Sequence, residues 1–93
     1  ARGERPVTQG EGFSYPLEYP FKIMGAAADD FPEHARRLVA RVVADVPAER
    51  VTVRASGGGK YLSVTVVALL RSEEERVAVY AALKADARVV YAL

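Results

Sequence analysis

The chain has 93 residues, of which 51% are hydrophobic and 27% charged, and its formal net charge is +1. This length and composition predict one globular domain, and the near-neutral charge predicts no global attraction to nucleic acid or membrane. The absence of cysteine excludes disulfides, thiolate nucleophiles and cysteine-based zinc sites and fits a cytoplasmic location. No apolar run approaches the roughly 20 residues that span a bilayer.

The first segment, ARGERPVTQGEGF, has no apolar run long enough to pack and lacks the apolar core of a signal peptide. We therefore assign residues 1–13 to a flexible N-terminal leader and residues 14–93 to a single domain. In the next segment two prolines precede a short apolar run, and strands tolerate proline at a start or an edge. A strand is predicted over about residues 18–26.

Residues 29–46, DDFPEHARRLVARVVADV, have the period of an amphipathic helix that Pro47 ends. Asp30 and Glu33 match the spacing of a capping box, which predicts that they cap this helix. The apolar stripe predicted to face the core consists of Phe31, Ala35, Leu38, Val39, Val42 and Val46.

Two strands follow, over residues 50–56 and 60–70. The first is predicted to be half-buried, with Val51, Val53 and Ala55 on its apolar side. The second has an apolar face and a mixed face. The apolar face consists of Leu62, Val64, Val66, Ala68 and Leu70, and the mixed face of Tyr61, Ser63, Thr65 and Val67.

The glycine-rich connection ASGGGKY between these strands has the composition of a phosphate-binding loop. Such a loop requires a helix after it, and here a strand follows. The sequence therefore predicts a hairpin with positive φ at residues 57–59. A secondary anion-binding role is predicted for Arg54, Lys60 and the loop amides.

Residues 72–85 predict a second helix, which opens with a capping box of Ser72 and Glu75. Residues 88–93 predict a last strand with Val89, Tyr91 and Leu93 on one face. The order βαββαβ predicts an α+β, ferredoxin-like domain. Its four-stranded antiparallel sheet would carry both helices on one face.

Three segments, YPLEYPFKIMG (15–25), RASGGGKYLSVTV (54–66) and SEEERVAVYAALKADARVVYAL (72–93), resemble the YbeD-like family of small bacterial proteins of unknown function. The resemblance implies the same βαββαβ fold, similar to the regulatory ACT domain, and a proposed link to lipoate metabolism. The family's hairpin usually reads Arg-Pro-Ser-Ser-Lys-Gly before an aromatic residue. Here Arg54, Ser56, Gly59 and Tyr61 match it.

In ACT domains a small-molecule effector usually binds at a subunit interface, near a glycine between the first strand and the first helix. Gly25 occupies that position, so the resemblance implies a ligand site at Gly25, Ala26, Asp29 and Asp30. A second candidate contact, for an anion or a partner, is the hairpin set of Arg54, Ser56, Gly59, Lys60 and Tyr61.

Residues suited to catalysis do not form a recognisable set. His34 is the only histidine and is predicted to be a surface residue, since catalysis would need a nucleophile and an orienting acid beside it. We predict a protein that is not an enzyme, with no metal and no cofactor. The cation-rich stretch from residue 34 to 60 has two interpretations, a solvated surface or a patch for an acidic partner or RNA.

These observations predict a non-enzymatic regulatory module that binds a small metabolite or a partner protein. A metabolite would bind at residues 25–30, where helix amides attract a carboxylate. The alternative is a protein-interaction adaptor that uses the open sheet face of Lys22, Tyr61, Ser63, Thr65 and Val67. RNA binding is less favoured because one aromatic makes a poor stacking platform. Edge strands predict a homodimer.

Overall fold

The computed structural model describes residues 13–44 and 46–93, so residues 1–12 of the predicted leader lie outside the described residues. The elements are β1 (Leu17–Ala26), α1 (Phe31–Ala40), β2 (Val51–Ser56), β3 (Tyr61–Leu70), α2 (Glu73–Ala85) and β4 (Val89–Ala92). The strands pair antiparallel in the order β2-β3-β1-β4. The predicted ferredoxin-like fold, with both helices on one face, is confirmed.

The centre of the sheet is the β1–β3 ladder, whose pairs run from Leu17 with Leu70 to Ala26 with Tyr61. Phe21 lies opposite Val66, and this side of the ladder is fully buried. The two faces predicted for β3 are confirmed. The hydrophobic core consists of Phe21, Ile23, Phe31, Ala35, Leu38, Val39, Val43, Val46, Val64, Val66, Ala68, Leu70, Val79 and Leu83.

The other face of the sheet, called the open face below, is covered by no helix within residues 13–44 and 46–93. Cross-strand pairing shows that the β2 positions on this face are all polar, and that its apolar positions lie on β1, on β3 and at the end of the chain. Its members are Glu18, Pro20, Lys22, Met24 and Ala26 of β1, Thr52, Arg54 and Ser56 of β2, Tyr61, Ser63, Thr65, Val67 and Leu69 of β3, and Tyr91 and Leu93 at the end of the chain.

Helix α1 ends at Ala40, six residues before the predicted end. The N–H groups of Val42 and Val43 both bond to the carbonyl of Val39, which tightens the last turn. Val43 is therefore buried, and Val42, which was predicted to be buried, is half-buried. Val46 reaches the core from outside the helix, where its carbonyl accepts a 2.8 Å hydrogen bond from Arg36. The β-branched side chains in this stretch favour such an exit from the helix.

The two predicted capping boxes have different outcomes. At α2, Ser72 Oγ accepts a 3.2 Å hydrogen bond from the N–H of Glu75, which confirms the predicted cap. At α1, the Asp30 side chain makes no capping bond, so that prediction was wrong. The backbone of Asp30 has helical angles, whereas a capping residue is extended. The Asp30 carboxylate binds Arg88 instead.

In both edge strands, β2 and β4, the side chains that face the core differ from those predicted. Val53 of β2 is 48% exposed and Ala55 is exposed, because β2 is an edge strand and α1 stops early. On β4, a register shift between Met24 and Gly25 separates Val89 from the residues predicted to share its face. Val89 packs against the core, and Tyr91 and Leu93 lie on the open face.

An aromatic and ionic cluster joins the start of β1 to α2. Tyr15 donates a 2.6 Å hydrogen bond to Glu73, which also accepts two bonds from Arg76. The Arg76 guanidinium and then the Tyr15 hydroxyl lower the pKa of Glu73 to about 2. Arg76 lies 5.1 Å from the ring of Phe13, the last residue of the predicted leader. Phe13 thus contacts the domain.

Gly25 leaves no room for a side chain beside the Phe31 ring. A Cβ atom at residue 25 would lie 2.3 Å from the Phe31 ring and 2.7 Å from the carbonyl oxygen of Arg88. Gly25 is buried and its φ is not in the left-handed region. Space, and not backbone freedom, therefore requires glycine here.

We expect Gly25→Ala to destabilise the domain by about 1–3 kcal/mol, the usual cost of overpacking a core. Urea unfolding measures the change. Gly58→Asn is the control, because a Cβ at residue 58 meets nothing within 4 Å and asparagine tolerates its φ of 68°. If the clash is with Phe31, the double variant Gly25→Ala/Phe31→Leu should lose less unfolding free energy than the sum of the losses of the two single variants. Full additivity would contradict this explanation.

Candidate functional site

The Phe31 ring lies against Gly25 and fills the space beside it. Of the other residues predicted to bind a ligand there, Ala26 and Asp29 are exposed, and Asp30 is held by Arg88 at 2.8 and 3.0 Å. Asp29 lines a shallow groove of about 310 Å³ between α1 and β2. The four predicted ligand residues therefore lie near one another in the chain but do not surround one cavity.

The glycine-rich connection is a hairpin, as predicted. Its three glycines have φ of 60°, 68° and 92°, and the N–H of Lys60 bonds to the carbonyl of Gly57. The Lys60 carbonyl accepts a 2.9 Å hydrogen bond from the N–H of Ala27, which ties the hairpin to the turn after β1. Gly59 and Lys60 are therefore turn residues, and both are exposed.

The remaining hairpin candidates lie on the open face. Ser56 pairs with Tyr61, and Arg54 pairs with Ser63 two residues further from the turn. The sequence predicts the hairpin and the open face as two candidate sites. In the structure, Arg54, Ser56 and Tyr61 of the hairpin set belong to the open face. Arg54 belongs with the strand residues rather than with the loop amides.

Two rows of paired residues make up the centre of the open face. Thr65 of β3 lies between Lys22 of β1 and Thr52 of β2. In the next row Ser63 lies between Met24 and Arg54. A groove of about 300 Å³ is lined by Lys22, Thr52, Val53, Arg54, Ser63 and Thr65. Sequence reasoning missed Thr52, although its alternation with Val51 and Val53 placed it on this face.

An apolar border flanks these rows on two sides and does not extend to β2, whose open-face residues are all polar. Val67 lies opposite Pro20 on one side. On the other side, Tyr91 pairs with Met24 and is 50% exposed, and Leu93 bonds to Lys22 through the backbone and is 61% exposed. The sequence did not identify Tyr91 and Leu93 as members of the open face, because the register shift in β4 has no signal in the sequence.

The cation-rich stretch does not form one patch. Arg36 and Arg37 both bind Glu33, whose pKa they lower to about 2. Arg50 binds Glu18 across the sheet at 3.1 Å. Arg54 is the residue of this stretch that pairing places in the centre of the open face.

His34 is half-buried, with 26% of its side chain exposed, and the prediction of a plain surface residue was wrong. Its Nε2 atom lies 2.9 and 3.0 Å from the two carboxylate oxygens of Asp86. Burial raises the pKa of Asp86, but the bonds from His34 and the Arg88 N–H outweigh it, so the pKa is lowered. This contact joins α1 to the α2–β4 turn. The sequence carries no signal for it, because the two partners are 52 positions apart in the chain.

Within residues 13–44 and 46–93, no three His, Cys, Asp or Glu side chains are placed to hold a metal ion. Over the same ranges, no hydroxyl group bonds to His34 as a nucleophile would. No helix in the described part of the chain is long and apolar enough to cross a membrane.

Comparison with known proteins gives consistent matches. The sequence profile of a family described as "Protein of unknown function (DUF493)" matches residues 11–93. The UPF0250 protein RSc0326 of Ralstonia nicotianae is 39% identical over 75 residues, which cover 81% of this chain and 77% of that protein. A UPF0250 protein of Pseudomonas paraeruginosa is 31% identical over 87 residues, covering 92% and 94%.

A solved structure shows the same fold. The solution structure of protein HP0495 from H. pylori superposes with a TM-score of 0.66 and covers 96% of this chain and 98% of its own. The two sequences are 16% identical, so the likeness concerns the fold alone.

We expect Arg88→Gln to raise the pKa of Asp30 toward its ordinary value of 3.8, because the Arg88 guanidinium is the main cause of its lowered pKa. A lowered pKa stabilises the folded state above pH 3.8, and this contribution is lost as the pH falls through the folded-state value. The stability difference between wild type and variant should therefore narrow on acidification. Carboxyl NMR titration measures the pKa. Arg71→Gln is the charge-matched control, and an unchanged Asp30 pKa in Arg88→Gln would contradict the assignment.

Proposed function

The chain belongs to the DUF493 family of small bacterial proteins of unknown function, as the YbeD-like resemblance predicted, and we propose that it is a non-enzymatic regulatory module whose open face binds a partner protein. The observation that carries the proposal is a sheet face that no helix of residues 13–44 and 46–93 covers. Polar residues run across this face from β1 to β2, and apolar residues lie beside them toward β4 and around Val67.

The rigidity of this face supports a binding role. Four antiparallel strands hold the open-face side chains, and its two central strands pair along ten residues each. A surface on such a scaffold loses little conformational entropy when a partner binds. Tyr91, Leu93 and Leu69 are exposed by 50%, 61% and 43%. Aromatic and apolar side chains of this kind supply the buried contacts of protein interfaces.

The packing of Phe31 favours a protein partner over a metabolite. A ligand beside Gly25 would have to displace the Phe31 ring, which is fully buried. Displacing a buried phenylalanine costs several kcal/mol, by analogy with its deletion from a core. The less favoured mode is therefore metabolite sensing at Gly25, Ala26, Asp29 and Asp30. The lipoate link that the resemblance implies belongs to this mode.

Self-association is part of the proposal and is supported by β4. This strand is an edge of the sheet, and its Val90 side chain is 60% exposed. An exposed apolar edge strand favours pairing with another strand. We propose that two copies pair along β4 in the cytoplasm, which would join two open faces into one surface.

The proposal predicts that partner binding depends on the apolar border of the open face. Wild type, Val67→Gln/Tyr91→Gln and the control Val77→Gln/Ala81→Gln, whose two positions are exposed on α2, are immobilised and exposed to a lysate of the bacterium that encodes the protein. A partner should bind wild type and control and lose at least tenfold in affinity for the border variant. The purified partner should also shift amide NMR signals on the open face.

Two results would contradict this proposal. One is a purified partner that binds all three proteins equally. The other is a set of saturable shifts confined to residues 25–30 when amino acids, octanoate or lipoate are added, which would favour the metabolite mode. Amide spectra of each variant establish that it is folded.

Pairing along β4 predicts that light scattering gives a dimeric mass for wild type and a monomeric mass for Val90→Lys, since a charged residue on an edge blocks strand pairing. Val53→Lys is the matched control, because it places the same charge on the opposite edge strand. A monomeric wild type, or a dimer that only Val53→Lys disrupts, would count against pairing through β4.

A further inference from the structure

We infer that the segment of the partner that docks on the open face is acidic, and that its carboxylates bind at the groove between Lys22 and Arg54. This inference rests on the proposed function, since it names the chemistry of the partner at that same surface. The groove, called the cationic groove below, is lined by Lys22, Thr52, Val53, Arg54, Ser63 and Thr65.

The two cations lie on opposite sides of β3. Lys22 belongs to the row of Thr65, and Arg54 to the row of Ser63. Lys22 and Arg54 are two strand spacings apart across the sheet and are offset by two residues along it. Their Cα atoms are therefore roughly 12 Å apart. That separation suits two carboxylates of one extended segment, one for each cation, better than one small anion.

The hydroxyl groups between the cations are suited to the same ligand. Thr52, Ser63 and Thr65 can each donate one hydrogen bond, and an ionised carboxylate only accepts. Hydrogen bonds to a charged acceptor are roughly twice as strong as those between neutral groups. The cationic groove therefore offers donors along its whole length.

The charge of the open face is not balanced by its own carboxylates. Among the described strand residues, this face carries one acidic side chain, Glu18, and Arg50 binds it at 3.1 Å. Arg50 lowers the pKa of Glu18, so the Glu18 charge persists but is paired. Lys22 and Arg54 thus add a net positive charge to the centre of the face, which attracts an acidic segment.

An acidic peptide fits this surface better than RNA. Base stacking needs neighbouring aromatic residues, and the open-face tyrosines lie on β3 and β4 with β1 between them. The central positions hold hydroxyl, amine and guanidinium groups instead. Carboxylate recognition uses these groups directly.

The test is an amide NMR titration of the full chain with a blocked octapeptide of alternating glutamate and valine. We expect saturable shifts at the cationic groove, and at least tenfold weaker binding of the matched glutamine–valine peptide. Binding should also weaken at 0.5 M NaCl, because salt screens exposed charges. Lys22→Gln/Arg54→Gln should abolish the shifts, while Arg71→Gln/Lys84→Gln, which removes the same charge elsewhere, should not.

Several results would overturn the inference. These are equal binding of both peptides, no saturable shift with the glutamate peptide, equivalent saturation by inorganic phosphate, or displacement of the peptide by oligouridylate. Phosphate saturation would mean a small-anion site, and displacement would mean a nucleic-acid surface.

The purified partner distinguishes this inference from the proposed function. If Val67→Gln/Tyr91→Gln weakens partner binding and Lys22→Gln/Arg54→Gln does not, the open face binds a partner whose segment is not acidic, and the inference fails alone. If neither variant weakens binding, both fail. Weaker binding by both variants, with a strong salt dependence for wild type, supports both.

Discussion

The register of the β1–β3 ladder is the constraint on which the rest of this structure depends. Side chains alternate between the faces of a strand, so this pairing places Phe21 under the helices and Lys22 on the open face. A slip of one residue would bury the polar residues of one strand and expose its apolar ones. The same pairing therefore sets the core and the candidate interface together. Every open-face contact proposed for Thr65 or Ser63 relies on it.

Ionic contacts hold the starts of the two helices to segments that flank the sheet, the α2–β4 turn and the residues before β1. Arg88 and Asp86 hold the start of α1 through Asp30 and His34, and Glu73 ties α2 to Tyr15. These contacts engage charged residues that are suited to acid–base chemistry. They also explain why the turn beside Gly25 is filled, since Arg88 lies over the Phe31 ring at 5.6 Å.

A fold of this type carries many functions, so function depends on the surface that each chain builds on it. Here both helices lie on one side, and the opposite side is the open face on which the proposed docking depends. Its charge is concentrated at Lys22 and Arg54, and its apolar residues lie toward β4. The regulatory module proposed above would need no catalytic set. Its effect would come from the proposed partner and from the proposed pairing of two copies.

The sequence by itself determined the order of the elements, the faces of β3, the hairpin at residues 57–59 and the cap of α2, because each depends on residues close together in the chain. It also carried the family resemblance. Tertiary structure decided where α1 ends, what Asp30 and His34 bind, and which way Tyr91 points. These features depend on partners such as Arg88 and Asp86, more than fifty residues away, and on a register shift in β4. Local pattern predicts periodicity and turns, but packing selects among the contacts that distant residues offer.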